Sequence, residues 1–176
     1  QMLADAGYPD GFSLEIVTSE MTGYRRISEN LQAQLAEVGI DLKVNVVDHS
    51  SMHARIRENV NPIIVYIAWR PNADSYLTRF YHSDSIIMTG AAPDTNFSNF
   101  DQIDDLIEQA RIETDADAQI QMWKDAQIKT LEEMVSYPLH YQQQVYARSV
   151  NVDYGHELVS VLALYPGITE KTSITR

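Results

Sequence analysis

The sequence predicts an α/β domain built on an open, mostly parallel sheet flanked by helices. Three observations support this fold class: a strand–helix–strand pattern over 12–47, a continuous apolar run over 63–68, and helical periodicity after residue 100. Strands separated by helices are typical of βαβ units, whose crossovers make the strands parallel. Because 176 residues are enough for one domain with its own core, we expect a single domain over 1–176.

The clearest pattern lies between residues 12 and 47. Alternating apolar and polar side chains predict a strand over 12–17 and another over 41–47. Between them, residues 22–38 place apolar side chains on one helical face, and Gly39 is typical of the residue that follows a helix. The apolar face consists of Ile27, Leu31, Leu35 and Val38.

The next stretch continues this alternation. Asp48 or Ser50 is expected to cap a short helix that runs to Arg57, because both side chains can accept hydrogen bonds from helix N–H groups. Residues 63–68 are apolar throughout, as expected of a buried parallel strand. Residues 83–99 contain Gly, Pro and many small polar side chains, which predicts a surface loop.

Two helices are predicted after this loop. The first is capped by Ser98 or Asn99, and the second begins at Asp115 and ends before Pro138. A strand is expected over 139–145. The predicted apolar faces are Ile103, Leu106, Ile107 and Ala110 in the first helix, and Ile120, Trp123, Gln127, Leu131 and Met134 in the second.

Composition excludes several classes of function. A net charge of −12 disfavours nucleic acid and anionic lipid as partners, since both attract clustered Lys and Arg. The chain has no cysteine, so thiol catalysis, disulfides and cysteine-based zinc sites are ruled out. No apolar run approaches the roughly 20 residues that span a bilayer, and we expect no membrane insertion.

Two sequence stretches carry a resemblance to a known family. They are LADAGYPDGFSLEIVTS at 3–19 and TGYRRISENLQAQLAEVGIDLKVNVV at 22–47. Their order and spacing resemble the C-terminal lobe of extracellular solute-binding proteins of the peptide/nickel/oligopeptide class, family 5, which feed ABC importers. The resemblance extends over nearly the whole chain, with helices after residue 100 in matching order.

The resemblance implies a function and its partners. The chain would be the C-terminal lobe of a two-lobed, type II periplasmic binding protein that closes around a solute and delivers it to an ABC permease. A peptide or related small molecule is the implied ligand. The N-terminal lobe of the same protein and the signal peptide would lie outside this sequence, the localisation would be periplasmic or extracellular, and no cofactor is implied.

The resemblance also places a ligand site after the apolar run. Peptide-binding members carry a tryptophan here and, three residues later, an aspartate that holds the ligand's α-ammonium group. Trp69 matches, but Asn72 stands at the aspartate position, and Asp74 is the alternative source of charge. Arg70 can take a ligand carboxylate, and Tyr76 can line the cleft. An amide binds ammonium less tightly than a carboxylate does, which leaves open whether the ligand is a peptide.

Other polar residues are expected to be structural. His49 and His53 have the i, i+4 spacing of a metal-binding pair, but no third ligand is evident beside Arg55 and Arg57, so we predict no metal. The acidic residues lie in the first turns of the two predicted helices, where they complement the helix dipole. They are Asp101, Asp104, Asp105, Glu108, Glu113, Asp115 and Asp117.

Two other classes of function stay open as alternatives. One is a small α/β hydrolase-like or transferase enzyme whose site only the fold would assemble. The sequence contains no nucleophile elbow, zinc-protease, P-loop or dinucleotide-binding motif, and no catalytic residue is predicted. The other is a scaffolding domain without a small ligand. A large exposed apolar face would favour the severed lobe over a self-sufficient domain.

Overall fold

The computed structural model describes residues 1–141, 145, 147–157 and 167–175. They form two compact units, Gln1–Ser136 and Tyr137–Arg176, and each is described here by itself. The single domain expected over 1–176 stays a prediction.

The first unit opens with a βαβ arrangement. After a short helix α1 (Met2–Asp5), strand β1 (Phe12–Ser19), helix α2 (Thr22–Glu37) and strand β2 (Ile40–Val47) follow one another. The two strands pair in parallel along their whole length, from Phe12 opposite Ile40 to Ser19 opposite Val47. The predicted strand–helix–strand unit is confirmed, and with it the α/β class of parallel strands flanked by helices.

Two glycines set the start of this ladder. Gly39 ends α2 at φ 87°, and Gly11 precedes β1 at φ 76°, both in the left-handed region that favours glycine. A Cβ atom on Gly11 would lie 1.8 Å from the carbonyl oxygen of Gly39. The backbones therefore meet at a distance that no other residue permits at position 11.

Helix α3 (His49–Ile56) is capped as predicted. The Asp48 carboxylate accepts hydrogen bonds from the Ser51 N–H at 2.9 Å and from the Ser50 hydroxyl at 2.6 Å. These bonds lower the pKa of Asp48. Met52 and Ile56 are buried and, with Tyr24 of α2, form the first of two apolar clusters.

The predicted strand over 63–68 is wrong: these residues form no strand. Side chains, rather than a backbone ladder, hold the segment beside β1 and α2. The Asn61 amide bonds the N–H and C=O of Val17 at 3.1 and 3.2 Å. The Tyr24 hydroxyl lies 3.3 Å from the N–H and 3.4 Å from the C=O of Ile67. The segment still packs on the first cluster, through Ile64, Val65, Tyr66 and Ile67.

A helix that the sequence reasoning missed, α4 (Ala73–Tyr81), follows this segment. A 3₁₀ turn at Ser83–Ser85 leads into the predicted loop, which is irregular but not wholly at the surface. Asn96 is fully buried and bonds the carbonyls of His82 and Phe100 at 3.0 and 2.7 Å, so one amide organises the loop from inside.

Helices α5 (Asp104–Ile112) and α6 (Ala116–Glu132) complete the first unit. Helix α6 begins at Asp115 as predicted, and that residue is its N-cap, accepting from the Ala118 N–H at 2.9 Å. The cap predicted for α5 is wrong, because Ile103 occupies the N-cap position without a side-chain bond. The second apolar cluster joins these helices to α4 through Leu77, Tyr81, Phe100, Ile103, Ile107 and Ala126.

The buried face of α6 differs from the predicted one. Ala126 and Thr130 are buried and Trp123 packs on the second cluster. Ile120 and Leu131 are each 47% exposed, and Met134 is 70% exposed. The helix ends at Glu132, ahead of Pro138, and Met134 adopts a left-handed φ of 52° just beyond it.

The second unit contains a short antiparallel pair, β3 (Val152–Asp153) with β4 (Ser173–Ile174). The strand predicted over 139–145 is not formed at 139–141 or 145, and its centre lies outside the described residues. Among the residues that the structure describes, no helix is long and apolar enough to cross a bilayer.

Candidate functional site

The predicted ligand residues lie where the apolar segment turns into α4. Asn72 is the N-cap of that helix, and its side-chain oxygen accepts the Ser75 N–H at 2.8 Å. The first candidate for binding an ammonium group therefore already uses its acceptor oxygen. Its capping role explains why an amide suits this position, since Asn is among the best N-cap residues.

Asp74, the second candidate for an ammonium partner, is engaged within the fold. Its Oδ1 atom lies 2.8 Å from Arg111 Nε of α5 and accepts the Thr78 hydroxyl at 2.8 Å. Arg111 also donates through Nη2 to Thr78 Oγ1. The carboxylate thus ties the first turn of α4 to the last turn of α5, and its negative charge is balanced by a neighbouring guanidinium.

Arg70 has a different environment. Its guanidinium carbon lies 5.2 Å from the centre of the Phe80 ring, a cation–π arrangement. Nη1 donates to the Trp69 carbonyl at 2.9 Å, whereas the buried Nε has no hydrogen-bond partner in the described part of the chain. No carboxylate of the described residues forms an ion pair with Arg70.

The ring that lies beneath this arginine belongs to an aromatic cluster. Tyr76 packs on Phe80 with ring centres 5.2 Å apart, and Tyr66 contacts the same ring at 5.8 Å. The hydroxyls of Tyr76 and Tyr81 are 3.2 Å apart. Trp69 is 43% exposed and Tyr76 38% exposed. Arg70 therefore lies on an aromatic surface that is partly open to solvent.

The structure separates the five predicted site residues into two groups. Asn72 and Asp74 line an open groove of about 350 Å³ together with Ala73, Arg111, Gln119 and Trp123. Trp69, Arg70 and Tyr76 are not part of that lining. The sequence reasoning missed Phe80 and Arg111, and the available signal was the spacing Asn72, Asp74, Leu77, Tyr81, which is that of a capped amphipathic helix.

His49 and His53 come together on α3. Their Nε2 atoms are 3.2 Å apart, and His49 Nδ1 lies 3.1 Å from the Ser19 hydroxyl. Burial, with smaller contributions from His49 and Arg57, lowers the pKa of His53. Among the described residues, no group of three or more His, Cys, Asp or Glu could hold a metal ion.

The Ser19–His49 contact lacks the features of a nucleophile and its base. Ser19 is fully buried, and its oxygen accepts the Met21 N–H at 3.1 Å. The second nitrogen of His49 faces His53 rather than a carboxylate. Without access for a substrate or an orienting acid, this pair serves the packing of α3 on β1.

Comparisons with known proteins agree with this fold. No protein-family model matches the chain. The glutathione-binding protein GsiB of Escherichia coli (strain K12) is 28% identical over 160 residues, which is 86% of this chain and 31% of the relative. The chain therefore spans about a third of the length of this curated relative.

Solved structures give the same picture. The solute-binding protein MoaA from A. tumefaciens R10, in complex with mannopinic acid, is 36% identical with a TM-score of 0.82, over 99% of this chain and 36% of that one. The ABC transporter-associated periplasmic binding protein DppA from Helicobacter pylori, with peptide STSA, is 24% identical with a TM-score of 0.64, over 76% and 26%. The second likeness concerns the fold alone. The predicted resemblance to solute-binding proteins of ABC importers, and their lobe fold, is confirmed.

Proposed function

We propose that this chain is one lobe of the substrate-binding component of an ABC importer. The complete protein captures a periplasmic or extracellular solute between two lobes and hands it to the permease. The observation that carries this proposal is the likeness to MoaA over 99% of the chain, at 36% identity and a TM-score of 0.82. Because the chain spans only about a third of such proteins, the other lobe supplies the opposite wall of the cleft.

The ligand-facing part of this lobe is the stretch from Trp69 to Tyr76. Trp69 and Tyr76 supply apolar surface, and Arg70 supplies charge above Phe80. Asn72 and Asp74 hold the first turn of α4 in place. The arrangement is that of many small-molecule sites, where a mostly apolar wall carries a few directed polar groups.

The proposed mechanism is hinge closure. Contacts that form only when both lobes enclose the solute stabilise the closed state, so the ligand shifts the equilibrium towards it. A single lobe buries about half of the ligand but meets a similar loss of translational and rotational freedom. The isolated 176-residue chain is therefore expected to bind weakly, and an affinity in the micromolar range or better would contradict hinge closure.

The ligand class follows from Arg70 and from the relatives. The names of GsiB and MoaA refer to glutathione and mannopinic acid, both of which carry carboxylate groups. The Arg70 guanidinium, which has no acidic partner among the described residues, suits a carboxylate, since the two groups form charge-assisted hydrogen bonds. We infer that this protein takes a small organic acid, such as a peptide or another amino-acid conjugate.

The enzyme alternative is weaker for a structural reason. The serine–histidine contact found in the described residues has a buried serine and no carboxylate behind the histidine. The chain is accordingly proposed to bind its solute without transforming it.

The test uses the full-length protein purified without denaturation. Small molecules released from it by denaturing are identified by mass spectrometry, and their binding is measured by calorimetry. We expect a bound organic acid and unchanged ligand after prolonged incubation. Conversion of the ligand into a product, or a protein that carries and binds no solute, would overturn the proposal.

A further inference from the structure

We infer that the Trp69–Tyr76 stretch selects its ligand by an anionic group and does not recognise a primary ammonium group. The solute is then a carboxylate, and its affinity does not depend on whether its amino group is free, substituted or absent. This inference rests on the proposed function and concerns the specificity of the same site. Three observations on charged and polar groups carry it.

The first observation is the uncompensated charge of Arg70. The residue is partly exposed, makes no ion pair within the described residues, and spends Nη1 on the Trp69 carbonyl. The centre of the Phe80 ring lies 5.2 Å from its guanidinium carbon. Because Nε is buried, the N–H groups that can donate to an anion are those of Nη1 and Nη2. A ligand carboxylate would supply the partner charge that Arg70 does not find among the described residues.

The second observation is the engagement of Asp74. An ammonium group that approaches its carboxylate also approaches Arg111, whose Nε lies 2.8 Å from Asp74 Oδ1. Repulsion by that guanidinium offsets the attraction of the carboxylate, because both charges act over similar distances. Thr78 donates to the same oxygen and further occupies it. Asp74 is therefore a poor partner for a second cation.

The third observation concerns Asn72. Its acceptor oxygen binds the Ser75 N–H at 2.8 Å and closes the first turn of α4. That oxygen has a second lone pair, but an uncharged amide binds ammonium less tightly than a carboxylate does. In this stretch, then, the charge of Asp74 is balanced by Arg111, and Arg70 is the charged group without an ion pair among the described residues.

The experiment compares matched ligands on the full-length protein. The probes are glutathione, methionyl-leucine and the N-acetyl form of each, and as an anion control methionyl-leucine with an amidated C-terminus. Calorimetry at pH 7.5 gives the affinity of each compound. We expect each N-acetyl form to bind within about threefold of its parent, and the C-amidated dipeptide to bind at least tenfold more weakly than methionyl-leucine.

Variants of the protein test which residues cause these differences in affinity. Arg70→Gln keeps a hydrogen-bonding side chain and removes the charge, so affinity for every carboxylate probe should fall about tenfold or more. Arg79→Gln, at an exposed arginine of α4 that forms an ion pair with Asp94, is the matched control. Asp74→Asn should weaken free and N-acetylated probes equally, because it disturbs the position of α4 and not an ammonium contact. Thermal unfolding of each variant shows whether it is folded.

Several outcomes would overturn the inference. A preference of tenfold or more for free amines would do so, as would selective loss of that preference in Asp74→Asn. Equal effects of Arg70→Gln and Arg79→Gln, or no binding of any carboxylate probe, would also do so.

The proposed function is tested separately. A protein that carries and binds a cationic or neutral solute would still be an importer component, while this inference would be wrong.

Discussion

The strand–helix–strand unit from Phe12 to Val47 and the segment from Asn61 to Tyr76 lie side by side in one compact unit but are held by different bonds. The first is fixed by a parallel backbone ladder that runs the full length of both strands. The second is fixed by the side chain of Asn61 at its start, by that of Tyr24 at Ile67, and by packing on the first cluster. Candidate ligand residues lie only in the second region.

The difference bears on how each region responds to change. A ladder distributes its hydrogen bonds over many backbone groups, so the exposed side chains on it matter little unless they prevent the backbones from meeting. A segment held by two side chains depends on those two residues. Local opening therefore has a lower free energy there, which suits a region that must accommodate a ligand.

The largest expected effect lies in the ladder, at its one close backbone approach. Gly11→Ala would place a Cβ atom 1.8 Å from the Gly39 carbonyl oxygen, at a φ of 76°. We expect a loss of about 3 kcal/mol in the free energy of unfolding, measured by urea denaturation. Gly7→Ala is the control, since Gly7 has a similar φ of 91° but nothing within 4 Å, and should lose about 1 kcal/mol. Equal losses would show that the two backbones are farther apart.

The next effect tests the first anchor of the segment. Asn61→Ala removes both hydrogen bonds to Val17, so the N–H and C=O of Val17 lose these partners. We expect a loss of about 2 kcal/mol and faster hydrogen exchange at the Val17 amide. Ser13 lies on the same strand as Val17, and its side chain forms an exposed hydrogen bond to Asp41 of β2. Ser13→Ala should change the free energy of unfolding by less than about 0.5 kcal/mol. Equal hydrogen exchange at the Val17 amide in both variants would contradict the view that the two regions are held by different bonds.

A smaller effect is expected at the second anchor. Tyr24→Phe keeps the buried ring and deletes the hydroxyl that bonds the N–H and C=O of Ile67. We expect a loss of about 1 kcal/mol, with faster exchange at the Ile67 amide and unchanged exchange in β2. Tyr8→Phe, at a half-exposed tyrosine, is the control and should leave both unchanged. Uniform acceleration across the unit would mean that the segment does not open locally.

The smallest expected effect is a pH dependence beside the segment, where His53 packs on Tyr66. Its folded-state pKa is lowered from 6.5, so the unfolded chain binds more protons than the folded one in the interval just below 6.5. Stability contributed by neutral His53 is complete above pH 6.5 and declines as the pH falls through that interval. The free energy of unfolding at pH 7.5 and 5.5 should differ less in His53→Gln than in the unchanged protein. An equal or larger difference in the variant would contradict the assignment.

Much of the fold could be predicted because its elements are local. The alternation over 12–17 and 41–47, a helix in 22–38, the Asp48 cap and the start of a helix at Asp115 each depend on near neighbours in sequence, and all are confirmed. The predicted face of α2 is only partly correct, because its buried residues are Tyr24 and Ser28, and Val38 is 57% exposed. The apolar run at 63–68 was misassigned because a strand also needs a neighbouring backbone to pair with, which composition does not reveal. The face of α6 was misassigned because its apolar residues outnumber those that one side can bury.

The candidate site was predictable only in part. Trp69 and Arg70 were predicted from their place after an apolar run, and their role in ligand binding stays a prediction; Trp69 is partly exposed and Arg70 lies over the Phe80 ring. The roles considered for Asn72 and Asp74 depended on the partners of each side chain. One of those partners, Arg111, is 37 residues away from Asp74 in sequence, beyond the reach of any local pattern.

Periodicity and capping in the amino-acid sequence were enough to establish the βαβ unit, since hydrogen bonds and apolar faces repeat at fixed short intervals. The engagement of Asp74 with Arg111, the capping use of Asn72 and the isolation of Arg70 above Phe80 emerged only when distant elements packed together. The physical reason is that a charged group's availability depends on which opposite charge lies within a few ångströms of it. That distance is a property of the folded chain.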